Sequence, residues 1–305
     1  MVEKKLKSFF LKRKFWSPQM QEIFHEFKHY EGIEYAFSGD ITVDHLYHIH
    51  NTPDNVYRLL TKMIPSIIEM SKTEDLNILV SNIDSKNKPL KEYMNLLGIK
   101  NIQYYNIQDI KYVKNLQRLP FNKLHAGPGC ALTLDVLTRY RSLITGTTDY
   151  KKIVITRNNN RSIPDNIMMF LLKKGFQPVT LEEMSVQNQI NLFAGITHVV
   201  GAQGAGFANL VYCNPGVKSL ELSAGFDLKL YTNLANHITD TLNVKKRISH
   251  LRIDRDEVFT DPSYTKKYDK FTRKCKFYNA PIKLSYDRFV SEFNTHFDDL
   301  SSNDK

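Results

Sequence analysis

The sequence predicts an α/β protein built on mostly parallel sheet. Three observations carry this. Short apolar runs alternate with helical periods along most of the chain, the mark of βαβ units. The pattern breaks at Gly146-Thr-Thr-Asp149 and starts afresh at Lys152. Three βα units then follow in a row before Leu222, so the later half reads as a nucleotide-binding sheet.

In the first half, 33–37 and 41–49 read as extended segments. Asn51-Thr-Pro-Asp54 reads as a helix start, a capping residue ahead of a proline, for a helix running through Arg58 to Met70. Residues 77–81 form a buried strand, 90–97 a helix stopped by Gly98, 102–107 a strand and 132–143 a helix. In the second half, 152–156 is a strand and 165–174 a helix ending at Gly175. Then come a strand at 176–180, a helix at 185–194 capped by Ser185, and a strand at 197–201. A helix at 206–213, a strand at 217–222 and a helix at 230–242 follow. The pattern degrades after Asp254, and helical periodicity returns at 283–297. The expected division is a basic helical segment at 1–30, a first domain at 31–149 and a second at 150–260. A basic loop and helix at 261–305 come last, the helix expected to cross back to the first domain.

The chain has 305 residues, 42% hydrophobic and 11% aromatic, enough to bury a sizeable core and too apolar for general disorder. No run approaches the roughly 20 apolar residues needed to span a bilayer. The basic start Met1–Lys14 has only Phe9-Phe-Leu11 as apolar stretch, so it does not read as a secretory signal. The expected location is cytoplasmic, with at most weak contact to an anionic membrane surface. Cys130, Cys213 and Cys275 lack metal-ligand spacing, which argues against a zinc site or a disulfide framework. The net charge of +10 raises nucleic acid as a partner, but no zinc-finger, basic-zipper or RNA-recognition signature accompanies the dispersed basic residues. A phosphate-rich small ligand is attracted equally well, and no nucleic-acid partner is expected.

The chemistry concentrates in Gly201-Ala-Gln-Gly-Ala-Gly206. A strand leads into glycines that let backbone N–H groups approach a ligand, and a helix N-terminus follows. The spacing is Gly-x-x-Gly-x-Gly, not the Gly-x-Gly-x-x-Gly of dinucleotide binders nor a P-loop. Arg157-Asn-Asn-Asn-Arg161 follows the strand at 152–156, at the carboxyl end where α/β sheets bind ligands, and guanidinium forks suit diphosphate oxygens. Glu221, read as ending its strand, offers a carboxylate to ribose hydroxyls.

These residues resemble a known family. Arg157-x-x-x-Arg161, Gly175-Phe176, Ser185, Gln189, Leu192-Phe193, Val199-Val-Gly201, Gly204-Ala-Gly206, Asn209-Leu210, Pro215-Gly216 and Glu221-Leu222 are similar to glycosyltransferase family 61. That family includes plant xylosyltransferases, O-linked N-acetylglucosaminyltransferases and bacterial capsule enzymes. The resemblance implies a GT-B fold, two Rossmann-like domains with a cleft between them, and an inverting hexosyl- or pentosyltransferase. The implied donor is a UDP-sugar, xylose or N-acetylglucosamine, and the implied acceptor a glycan or glycoprotein hydroxyl. It places Arg157, Arg161, Gly201, Gln203, Gly204, Ala205, Gly206, Asn209 and Glu221 at the donor. The family loop carries Pro-His where this chain has Ala202-Gln203. In the first half, Arg58 and Lys62 stand where the family pattern has a histidine and an acid. The missing secretory signal suits a bacterial or large-virus member.

An inverting transfer needs a general base. His50 and Asp54, in Asp44-His-Leu-Tyr-His-Ile-His-Asn-Thr-Pro-Asp54, are the candidates, with His48 and Asp44 next. Asp254-Arg-Asp256 matches a metal–diphosphate element, but it falls late in the chain and reads as surface structure. No cofactor and no obligatory metal are expected, because arginines and helix N–H groups can take the metal's part. The rival readings are a nucleic-acid-binding protein and a non-catalytic nucleotide-binding protein.

Overall fold

The structure is a computed structural model. It describes residues 29–34, 40–48, 56–72, 75–80, 88–106, 110–118, 132–157, 162–223, 230–254, 282 and 284–298. The chain divides into two compact units, Met1–Val136 and Leu137–Lys305. The division falls ahead of the break read at 146–149. The segment before that break belongs with the second unit, where Gln187 and Asn191 hold the Leu143 carbonyl and the Thr145 N–H.

The first unit holds β1 (His29–Glu34), β2 (Ile41–His48), β3 (Leu76–Val80), β4 (Ile102–Asn106) and β5 (Ile110–Arg118), in the order β4-β3-β2-β5-β1. Four strands are parallel, and β1 runs antiparallel on the edge. This is Rossmann-like order, with the chain crossing back between β2 and β5. The first strand lies earlier than the expected 33–37. The sequence reading missed β5 altogether. Ile41 pairs with Ile110 and Thr42 with Tyr112, so Lys111 is a bulge that resets the two-residue alternation. Ile110 and Val113 are therefore both buried although three residues apart, and Lys111 and Lys114 are exposed.

The helix expected through Arg58 to Met70 is composite. A turn at Val56–Arg58 leads into a π-helical stretch, Leu59–Met63, and then α1 (Ile64–Met70). Pro65 supplies the cause, since it has no N–H for the carbonyl four residues back, and the wider turn accommodates it. Arg58 and Lys62 lie on the exposed side, while Tyr57, Leu59, Leu60 and Met63 are buried. Helix α2 (Lys88–Leu96) stops at Gly98, whose φ of +68° favours glycine. Helix α3 (Leu134–Ser142) runs across the unit boundary.

The second unit holds β6 (Lys152–Thr156), α4 (Asp165–Lys173), β7 (Gln177–Thr180), α5 (Val186–Gly195) and β8 (His198–Ala202). A 3-10 helix (Ala205–Tyr212), β9 (Lys218–Ser223), α6 (Leu230–Leu242), β10 (Ser249–Asp254) and α7 (Tyr286–Asp298) complete it. The sheet order is β7-β6-β8-β9-β10, all parallel. The expected elements at 152–242 are all present, and the Ser185 hydroxyl caps α5 by accepting from Asn188 N–H at 3.2 Å. The edge strand β10 was not foreseen.

The sheet has two unlike faces. Val154, Val200, Ala202, Leu220, Leu222 and Ile253 form one apolar layer with α4 and α7. The helix α7, expected to cross back to the first half, makes its main contacts here. Phe289, Phe293 and Phe297 pack edge-on against Phe170 and Phe176. Each fully buried phenylalanine contributes about 1.5–3 kcal/mol.

His296 on α7 bonds the Ser219 carbonyl at 3.1 Å, and Lys218 donates to the His296 carbonyl. Burial pushes both His198 and His296 from the usual 6.5 down to about 4, reinforced at His198 by Lys152 and Lys218 and at His296 by Lys218, His250 and His198. Below pH 6.5 the unfolded chain therefore binds more protons than the folded one. Stability from these rings is full above pH 6.5 and is lost as pH falls toward 4. Urea midpoints taken from pH 7.5 to pH 4.5 should fall, and a His198→Gln, His296→Gln double variant should show a shallower fall.

Candidate functional site

Strands β6 and β8 are neighbours, but the chain leaves β6 toward β7 on one side and β8 toward β9 on the other. Loops diverging from adjacent parallel strands leave a crevice at their carboxyl ends, where open α/β sheets bind ligands. Arg157 is the first residue beyond β6, and Gln203 and Gly204 are the first beyond β8. The expected loop and the expected arginine therefore meet at one point.

Their contact is close. A Cβ placed on Gly204 would collide with Nη2 of Arg157 and come within 2.8 Å of its Cζ. The backbone of Gly204 is extended, with φ 175°, so the absent side chain matters for space and not for conformation. Gly201 and Gly206 serve packing. A Cβ at Gly201 would lie 3.1 Å from Cβ of Ile155, and one at Gly206 would lie 2.8 Å from Cδ1 of Leu181. Gln203 is buried, and its N–H donates to the Leu222 carbonyl at 2.8 Å, which ties the loop to β9.

The helix expected at 206–213 is a 3-10 helix that begins at Ala205. Its first turn closes when Phe207 N–H donates to the Gly204 carbonyl at 3.2 Å. The N–H groups of Ala205 and Gly206 precede any carbonyl of the helix. They lie at its positive end, next along the chain from the glycine that Arg157 approaches.

Asn209 is fully buried on the inner side of this helix. Its amide donates to Gln189 Oε1 and to the Gly206 carbonyl, each at 3.2 Å, and Gln189 Nε2 donates to the Leu181 carbonyl at 3.0 Å. Asn209 thus fastens the loop to α5. Glu221 sits inside β9, which continues to Ser223, and is 1% exposed. Its Oε2 lies 3.1 Å from Nε2 of His250. His250 was not singled out from the sequence, although the alternation His250, Arg252 against Leu251, Ile253 in β10 carried the signal.

Arg161, His50 and Asp54 lie outside the described residues, as does Asp256. Asp44 is exposed on β2, His48 is the last residue of that strand, and Asp254 is the last of β10.

A comparison with protein-family models matches residues 15–220 to Glycosyltransferase 61. The chain belongs to glycosyltransferase family 61. It is therefore a glycosyltransferase, with a sugar donor and an acceptor as substrates. No curated protein matches the chain. The match runs through β6 and the loop after β8, so the family segment includes the Arg157–Gly204 contact. No helix among the described residues is long and apolar enough to cross a membrane.

Asn209→Leu should cost about 1–3 kcal/mol of unfolding free energy, because it strands Gln189 Oε1 and the Gly206 carbonyl in the interior. Urea denaturation checks this. Adding Gln189→Leu should cost less than the sum of the two single changes.

Proposed function

We propose that this glycosyltransferase binds the diphosphate of a UDP-sugar at the crevice between β6 and β8 and transfers the sugar with inversion. The observation that carries the reading is the guanidinium of Arg157 lying over Gly204 at the mouth of the 3-10 helix. A guanidinium and converging N–H donors suit diphosphate oxygens and stabilise the charge that builds on the leaving group. Arg161, four residues on in the same loop, supplies a second fork, and Gln203, Ala205 and Gly206 offer neutral donors. The uridine specificity, the inverting outcome and the GT-B type follow from the family resemblance. Xylose and N-acetylglucosamine are the favoured sugars, a glycan or glycoprotein hydroxyl is the acceptor, and the cytoplasm is the proposed location.

The leaving group is handled by fixed positive charge, so the reaction as read requires no metal at the diphosphate. His50 and Asp54 are the proposed sources of the base. In the sequence they come shortly after β2, and a histidine or a carboxylate can take the proton of an acceptor hydroxyl. Glu221, expected to meet ribose hydroxyls, is buried against His250, and the donor reading does not draw on it directly.

Calorimetry with UDP tests the reading. Arg157→Ala should weaken UDP by about 10- to 100-fold, the loss of one or two charge-assisted bonds. Gly204→Ala should weaken it in the same direction by displacing the same guanidinium, while thermal stability changes little. Undiminished affinity in both variants would remove the diphosphate from this crevice. Transfer should persist in EDTA, and a complete loss restored by manganese would instead assign metal chemistry to Asp254 and Asp256.

A further inference from the structure

Beneath the donor loop, on the face of the sheet away from α7, lies a row of buried polar side chains. Ser219 and His250 are cross-strand partners, and Glu221 stands two residues further along β9. Ser219 is 0% exposed, Glu221 1% and the His250 ring 0%. The Ser219 hydroxyl donates to the Ser249 carbonyl at 3.2 Å and lies 2.8 Å from His250 Nδ1. On the other side of the ring Nε2 lies 3.1 Å from Glu221 Oε2, so both ring nitrogens have a polar partner.

Such a pair is costly to bury, and replacing one with apolar side chains of similar size is often neutral or stabilising. Its place in the molecule supplies a reason for it. The His250 ring meets the edge of Phe207 at 5.5 Å and 83°, and Tyr231 of α6 closes on both rings. Phe207 is the residue whose N–H closes the first turn of the 3-10 helix on Gly204, and its Cζ lies 3.4 Å from where a Gly201 Cβ would stand. An unbroken line of contacts therefore runs from Glu221 through His250 and Phe207 to the glycine against which Arg157 rests.

We propose that Glu221 and His250 are positioning residues for the diphosphate subsite, holding the donor loop from below through Phe207. This rests on the donor reading above. The imidazole, bonded at both nitrogens, cannot turn. It fixes the tilt of Phe207 and so the height of Gly204 beneath the guanidinium.

Calorimetry with UDP and with inorganic pyrophosphate, which has no ribose, tests this on the full chain. Glu221→Leu and His250→Leu should each weaken both ligands by about tenfold, the scale expected when a binding group shifts by a fraction of an ångström. The double variant should be no worse than either single change. Glu221→Gln, whose amide can still bond Nε2, should stay within about twofold of the wild type. Phe293→Leu, on the opposite face, controls for general loss of stability and should leave both affinities unchanged. Pyrophosphate affinity unchanged in Glu221→Leu and His250→Leu overturns the proposal. If UDP alone then weakens, and only in the Glu221 variant, the carboxylate touches ribose directly. A wild-type protein that binds neither ligand overturns the donor reading, and this inference with it.

Discussion

The meeting of Arg157 with Gly204 is the constraint on which the rest of the second unit turns. One residue is the first beyond β6 and the other is two beyond the end of β8. They meet only because the sheet places those strands side by side while the chain leaves them in opposite directions. The guanidinium occupies the room a side chain would need. It also approaches the N-cap of a helix, so its charge adds to the positive end of the helix dipole. Two sources of positive potential thus meet at the end of β8.

The two faces of the second sheet divide the labour. Against α4 and α7 the sheet is apolar, and the phenylalanines of α7 provide adhesion without direction. Against the 3-10 helix it carries Ser219, Glu221 and His250, while the helix carries Asn209, all with buried side chains that bond particular atoms. Hydrogen bonds of this kind add little net stability, but they permit one geometry only. Asn209 and Glu221, which the family resemblance placed at the donor, are tied to the loop and its supports in this way, Asn209 through Gln189 and Glu221 through His250. Part of what resembles a binding motif is thus the scaffold beneath one.

The central strands β6, β8 and β9 of the second sheet were legible in the sequence because they are buried on both faces. Lys152–Thr156 and His198–Ala202 read as short apolar runs, and Gly175 marked the end of α4 with its φ of +81°. The edge strand β10 escaped, and in the first unit local geometry altered the pattern. The bulge at Lys111 hid β5, and Pro65 with its π turn disguised the phase of the first helix. At the site, Arg157 and the glycines were found because anion chemistry restricts the residues that can serve. The burial of Glu221 was not readable, since a carboxylate within a strand looks the same in sequence whether it meets solvent, ligand or a histidine 29 positions away.

The helix after β8 is 3-10 and not α, which bears on how strongly its N-terminus can attract an anion. A 3-10 helix has poorer hydrogen-bond geometry, and its side chains eclipse, so its first N–H groups are less well aligned than those of an α-helix. The dipole at Ala205 and Gly206 is accordingly a weaker source of positive potential than the sequence suggested. The loop does not make up the difference, for Gln203 is uncharged where the family pattern has a histidine. Arg157 brings a full positive charge to the crevice, and its planar fork has a fixed donor geometry that the helix end lacks. The glycine that makes room for that fork is then as much a determinant of the site as the arginine itself.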